Sequence, residues 1–340
     1  MKSSRAVTLC VTAFTMVLLI LDSRSAIQSA MEGIDICLRV VIPSLFPFFF
    51  LSAIINDRLL GINLKVLRPL TKICKIPAGS ESLLILGLIG GYPVGAAGIQ
   101  AAHHKGSLNR IQAIRMLSFC NNAGPAFLFG IIAPVFDSTL TVWALWFIHI
   151  ASAILVAVFI PSLETDSVNV IHTPSISPQL AMQIAIRNTT CVCGWIVIFR
   201  MILGFCQRWF LWLLPKSVQI LIMGILELSN GCLALSQIPC LGLRFLFAAI
   251  ILSFGGLCVG MQTASVIGTL PLKNYWYGKV LQTAITFLLA GTSQRFLFPN
   301  DSAKIPLPLF ILFFVVATVP FIKKAVAFSK KTSYNKENSG

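Results

Sequence analysis

Between Val142 and Ile160 the chain carries no Asp, Glu, Lys or Arg, and apolar stretches of this kind recur along its length. A helix needs about 20 largely apolar residues to cross the hydrocarbon core of a bilayer. Ala6–Leu21, Ile34–Ile55, Val142–Ile160, Leu180–Phe205, Ser217–Ile238, Leu241–Ile267, Val280–Phe298 and Ile305–Ile322 meet or approach that requirement. Leu83–Ala102 and Ile111–Val135 are apolar in bulk but interrupted by Gly, Pro and Asn. Together they predict about eight to ten hydrophobic segments in an all-α, polytopic integral membrane protein. A transmembrane β-barrel is disfavoured, because its strands alternate apolar and polar residues and these runs are continuous. Charged residues make up 11% of the sequence, against about 25% in soluble domains, so no stretch can build a water-facing domain.

The lipid bilayer is therefore the chain's predicted medium, and it also accounts for the charge. The formal net charge of +15 comes from 26 basic and 11 acidic residues. In a soluble protein such a surplus would point to nucleic acid; here none is expected, because the basic residues gather in short loops and at the C-terminus, where positive-inside topology favours them. The loop with Arg58, Lys65, Arg68, Lys72 and Lys75 is predicted to be cytoplasmic, as is the tail with Lys323, Lys324, Lys330, Lys331 and Lys336. Pro161–Pro178 holds Glu164 and Asp166 and no Lys or Arg, which suits the opposite side. Lys2, Arg5 and the apolar run to Leu21 resemble a secretory signal, but Asp22 and Arg24 spoil a cleavage site, and a retained first helix is expected. The ten cysteines show no zinc-like spacing, and no metal or cofactor is expected. His103 and His104 read as solvated loop residues, and His149 as a hydrogen-bonded core residue.

A weak internal repeat emerges from the order of features. An N-terminal helix (1–32) precedes a first repeat (33–160), a linker (161–178), a second repeat (179–298), a C-terminal helix (299–326) and a basic tail (327–340). Each repeat opens on a long helix with an arginine near its start, Arg39 and Arg187. Each then shows two polar breaks in apolar sequence. In the first repeat these are Gly90-Gly91-Tyr92-Pro93-Val94-Gly95 and Asn121-Asn122-Ala123-Gly124-Pro125; in the second, Glu227-Leu228-Ser229-Asn230-Gly231 and the run from Gly255-Gly256 to Gln262.

Backbone polar groups cannot stay unpaired in hydrocarbon, so broken or re-entrant helices survive only where protein or a water-filled cavity surrounds them. Broken helices expose N–H groups at one half-helix end and carbonyls at the other, which are ready-made ion sites. Matched Gly/Pro-interrupted segments in two halves mark the binding site of many secondary transporters. A packing role for these glycines is the competing reading. Glu227 is an intramembrane acid and a functional candidate for that reason, with Arg39 and Arg187 as partners unless they snorkel from helix ends. The substrate-binding set read from the sequence is thus Arg39, Gly91, Tyr92, Pro93, Gly95, Asn121, Asn122, Gly124, Pro125, Arg187, Glu227, Ser229, Asn230, Gly231, Gly255, Gly256 and Gln262.

At these four breaks the chain resembles the YlbJ-like sporulation integral membrane proteins of the nucleoside-recognition, or Gate, domain superfamily. It departs from their pattern at Ala96-Ala97-Gly98, where a more polar run is usual. The resemblance implies a two-repeat Gate-type fold and a role in endospore formation, with movement of dipicolinic acid from mother cell toward forespore. The expectation is a multi-pass cell-membrane transporter of a small anionic solute, dipicolinate-like, in the outer forespore membrane of a sporulating cell. The half-helix N-termini near Gly95 and Gly124 would face carboxylates, with Asn121, Asn122 and Asn230 orienting them. A cation or nucleoside transporter using Glu227, and a non-transporting spore-envelope assembly protein, are the alternatives; homo-oligomer formation is left open. No nucleophile, metal-ligand or paired-acid motif points to an enzyme.

Overall fold

The computed structural model describes residues 2–62, 64–161, 176–315 and 318. The basic tail, most of the 161–178 linker with Glu164 and Asp166, and most of the C-terminal helix beyond residue 315 lie outside the described residues. Those described are mostly helical, with no strand among them. The chain is an all-α, multi-pass membrane protein: four described helical stretches, Ser23–Leu59, Thr139–Phe159, Pro178–Trp209 and Leu241–Val266, are long and apolar enough to cross a membrane. Their large apolar side chains stand exposed, among them Leu140 at 68% and Phe147 at 60%; on a water-soluble molecule such patches would drive association, and in lipid they are at home.

Helix α1 (Lys2–Leu21) is followed, after Asp22, by α2 (Ser23–Ile36), a π-helical turn (Cys37–Val41) and α3 (Ile42–Leu59). The helix runs on through Gly33, so the boundary expected after residue 32 falls inside a continuous element. The π turn stands immediately upstream of Pro43, which lacks the N–H that an α-turn would need and crowds the carbonyl four residues back. Next come α4 (Arg68–Cys74), α5 (Glu81–Ile89), α6 (Val94–His104), α7 (Arg110–Leu117), α8 (Pro125–Phe127), a second π turn (Leu128–Ile132) ahead of Pro134, and α9 (Thr139–Phe159). The second half holds α10 (Pro178–Trp209), α11 (Lys216–Leu226), α12 (Leu228–Ala234), α13 (Leu241–Phe254), α14 (Gly256–Val266) and α15 (Lys273–Leu297). In both halves, a long helix is followed by two interrupted helices and then another long one. Most of the apolar stretches that are not single spans are these interrupted pairs, each half too short to cross alone.

Helix α10 docks along α2, where small residues let the backbones approach; a Cβ on Gly33 would lie 3.0 Å from the Cα of Val197. The ion pairs Arg200–Glu32 and Arg208–Asp22 fix the same contact from both ends. At the other end of the molecule the buried Arg115 donates to the carbonyls of Cys74 and Ala157 at 2.7 and 2.8 Å, of Lys75 at 2.9 Å and of Ile160 at 3.4 Å. It satisfies helix-end carbonyls that would otherwise be orphaned.

This clamp corrects one expectation. Ile160, just before the linker, sits beside Cys74 and Lys75, and the N–H of Ile176 donates to Asp57 at 2.8 Å. Both described ends of the acidic linker therefore lie with the basic loop, not opposite it; helix packing decides the side that local charge alone had suggested otherwise. His103 and His104 belong to the last turn of α6 and not to a loop.

Candidate functional site

All four sequence breaks are breaks in the structure: between α5 and α6, between α7 and α8, at Glu227 between α11 and α12, and at Gly255 between α13 and α14. They pack on one another. Cys120 of the second break lies against the first so closely that a Cβ on Gly95 would sit 1.9 Å from its carbonyl oxygen. Asn122 Nδ2 donates to the Gly87 carbonyl at 3.1 Å and to that of Phe119 at 2.6 Å. Asn121 Nδ2 donates to Thr263 Oγ1 at 3.0 Å, joining the second break to α14. Tyr92 donates its hydroxyl to the Leu252 carbonyl at 3.0 Å, and its ring end fills the space that a side chain at residue 255 would need, 3.2 Å from that missing Cβ. With φ at +80°, Gly255 is in the left-handed region that favours glycine. The third break packs on the fourth, since a Cβ on Gly256 would lie 2.9 Å from the Gly224 carbonyl, and its two halves press together, since one on Gly231 would lie 2.2 Å from the Gly224 Cα.

Where the breaks meet there is a cavity of about 40 Å³. A water needs about 10–15 Å³ by this measure, so the space admits a few waters. Gly91 and Tyr92, Gly124, Glu227 and Ser229, and Gln262 are among the residues that line it, so every break contributes. The π turns supply Val40, Val41 and Ile131, and Ser44 completes that wall; its hydroxyl donates to the Val40 carbonyl at 2.6 Å. Gln262 donates to Cys258 Sγ at 3.3 Å.

Glu227 is buried and caps α12. Its Oε1 accepts from the Ser229 N–H at 3.1 Å, and its Oε2 from the Asn230 N–H at 2.7 Å and the Asn230 amide at 2.6 Å. Those three donors spread its charge into the helix start. Asn230 is thus occupied with Glu227. Pro93 and Pro125 sit at the starts of α6 and α8, flanking the cavity without lining it.

Arg39 and Arg187 are not part of this assembly. Arg39 is exposed and paired with Asp35 one turn earlier on the same helix, and Arg187 lies on an exposed face of α10.

The cation at the centre is instead Lys279 of α15, which is fully buried. Its Nζ donates to Gln282 Oε1 at 2.8 Å, Tyr92 Oη at 3.1 Å and Asn122 Oδ1 at 3.2 Å, and lies 4.9 Å from the Tyr92 ring centroid. The neighbouring Gly278 makes this reach feasible, because a Cβ there would lie 1.9 Å from the Ser118 carbonyl. Gln282 Nε2 donates to Asn122 Oδ1 at 2.9 Å and to the His149 carbonyl at 3.2 Å. His149 Nε2 accepts from the Ala123 N–H at 3.1 Å, which leaves the ring proton on Nδ1, toward Ser253 Oγ at 3.4 Å. Ser253 in turn donates to Thr286 at 2.7 Å. The three acceptors that hold Lys279 Nζ are all neutral, so any charge it carries has no counter-charge among them.

Sequence reading missed Lys279 because the apolar run was taken to begin at Val280. The signal was present: Lys279, Gln282, Thr283 and Thr286 recur at helical spacing, a polar stripe down one face of α15.

The chain is similar to one curated protein, the sporulation integral membrane protein YlbJ of Bacillus subtilis (strain 168), with 30% identity over 141 residues. The match covers 39% of this chain and 34% of the relative, about a third of its length. No protein-family model and no solved structure matches the chain.

Proposed function

We propose that this chain is a membrane transporter for a small anionic solute during endospore formation, with dipicolinate the specific candidate and the outer forespore membrane its site of action. One observation carries the reading: four helix breaks converge on a single cavity with a buried, uncompensated lysine directly behind Tyr92. Breaks of this kind are tolerated at membrane depth where they line a cavity, and paired broken helices hold substrate in many secondary transporters. A carboxylate entering from the cavity side supplies the counter-charge that Lys279 lacks. The sporulation context is supported by the name of the similar protein, and dipicolinate by the resemblance of the four break motifs.

Glu227 favours the rival reading, a cation or nucleoside carrier, because it lines the same cavity. Its two oxygens, however, already accept three hydrogen bonds from the start of α12, so it serves better as a brace than as an open ligand. The test is uptake of labelled dipicolinate by proteoliposomes containing the purified full chain. Uptake that is saturable and competed by other small dicarboxylates supports the proposal. Absence of both uptake and binding in protein shown to be folded overturns it, and normal sporulation with Asn121 and Asn122 both replaced by Ala would favour an assembly role.

A further inference from the structure

Helix α3 is apolar from Ile42 to Ile55 apart from Ser44 and Ser52, and Asn56 follows one turn later. Spacings of one and two turns put these three polar residues on one face. Of the three, Ser44 belongs to the central cavity. Ser52 and Asn56 are buried and line a second cavity of about 80 Å³, room for several waters. Ala97 of α6 and Asn188 of α10 form its other walls. At one end Lys105 Nζ donates to Asp57 Oδ1 at 2.5 Å, and the Ile176 N–H donates to Asp57 Oδ2 at 2.8 Å. Asp57 directly precedes Arg58 of the basic loop, so this end of the cavity is the loop end.

The two cavities lie in series. Leu45 lines the central one and Phe49 the second; Tyr92 lines the central one and Val94 the second; Val192 lines the central one and Asn188 the second. Three separate elements thus pass from one cavity to the other within four residues or fewer. A helical turn rises about 5.4 Å, and about that thickness separates the two spaces. What fills it is apolar: Phe49, Val94 and Val192 are each 2% exposed and pack in one cluster. An apolar constriction of this kind shuts out water and ions until its side chains part.

We infer that the second cavity is a vestibule through which solute passes between the central cavity and the basic-loop face, with Phe49 and Val94 in the layer that must part. The inference rests on the transport reading of the central cavity and adds a route to it. The walls suit a small anion in passage. Ser52, Asn56 and Asn188 are neutral hydrogen-bonding groups, and Asp57, the one acid among the lining residues, is already paired with Lys105. Such a lining neither repels an anion nor holds it with a free charge, and conduction needs binding weak enough to let the solute leave.

The test is labelling of introduced cysteines in the full chain by a negatively charged, membrane-impermeant methanethiosulfonate, added to right-side-out and to inverted vesicles. Peptide mass spectrometry reads each introduced thiol apart from the ten native cysteines. Val66→Cys, in the basic loop at a position 91% exposed, reports which side is the loop face. Asn188→Cys and Ala97→Cys should label from that face alone, and Ser44→Cys from that face only slowly. Phe49→Ala should speed the Ser44→Cys reaction by about tenfold or more, the effect of a barrier lowered by about 1.4 kcal/mol, and leave Asn188→Cys unchanged. If Phe49→Ala does not fold, Val94→Ala thins the same layer and decides. Labelling of Asn188→Cys only from the opposite face, or from neither, overturns the inference, and so does a Ser44→Cys rate unmoved by thinning the layer. No solute has to move in this test. Failure of dipicolinate uptake with the labelling pattern intact sinks the transport reading and keeps the connection between the cavities; uptake without the pattern sinks the connection alone.

Discussion

Lys279 Nζ lies 3.2 Å from Asn122 Oδ1, so the side chain that marks the second helix break also holds the cation of α15. Gln282 donates to the same oxygen at 2.9 Å, which keeps that acceptor satisfied when the lysine is replaced. Lys279→Met should therefore fold, since an apolar chain of similar length in place of a buried charge is often neutral or stabilising. Anion uptake by proteoliposomes should fall by more than about tenfold, the effect of losing one favourable interaction of about 1.4 kcal/mol. Uptake at the wild-type rate would remove Lys279 from the mechanism.

Close approach of α15 to the second break depends on Gly278. Gly278→Ala and Gly95→Ala each drive a Cβ to 1.9 Å from a backbone oxygen, and both should give poorly folded, aggregation-prone protein by size-exclusion chromatography. Gly194 has nothing within 4 Å of its absent Cβ. Gly194→Ala should raise the thermal midpoint, by up to about 1 kcal/mol of helix stability.

Removing the Arg115 side chain leaves buried carbonyls of Cys74 and Ala157 without their donor. At about 1–3 kcal/mol for each unsatisfied buried group, Arg115→Ala should lose several kcal/mol, seen as a much lower unfolding midpoint in detergent. Trypsin should then cut sooner near Lys72 and Lys75, because their loop has lost its anchor.

Glu227→Gln and Glu227→Ala separate a brace from a ligand. Loss of an N-cap acceptor costs about 1 kcal/mol, so the alanine variant should be less stable, and the glutamine variant, which keeps one acceptor oxygen, less affected. Dipicolinate binding measured by calorimetry should survive in the glutamine variant. Its abolition there would restore Glu227 as a direct ligand.

Arg39 and Arg187 make the opposite prediction. Both lie on exposed faces, and surface substitutions away from special features change little. Arg39→Ala and Arg187→Ala should leave uptake and unfolding midpoint at wild-type values.

How much of this was legible in the sequence follows from what kind of signal each residue leaves. Gly-Tyr-Pro and Asn-Asn-Ala-Gly-Pro interrupt apolar runs, and an interruption is local, so the breaks could be read from neighbours alone. That Tyr92, Gly124, Glu227 and Gln262 share one cavity depends on packing between elements far apart in the chain, and only the matched order of the breaks hinted at it. Arg39 and Arg187 had the right chemistry and the wrong direction, because the face of a lipid-exposed helix is not written in residue type. Lys279 was hidden by its place at the margin of an apolar run, where a lysine ordinarily belongs to the interface. The linker was assigned a side from charge, whereas the carbonyls held by Arg115 place the residue just before it with the basic loop.

Under the proposed anion transport, Lys279, as part of α15, would stay behind when the anion departs, so the protein would neutralise its passenger during transit and not escort it across. Each unit of charge delivered works with or against the membrane potential by about 2.3 kcal/mol per 100 mV, and a doubly charged solute feels twice that. Unless protons travelled with the anion, such passage would be electrogenic, and voltage would join concentration in setting its direction.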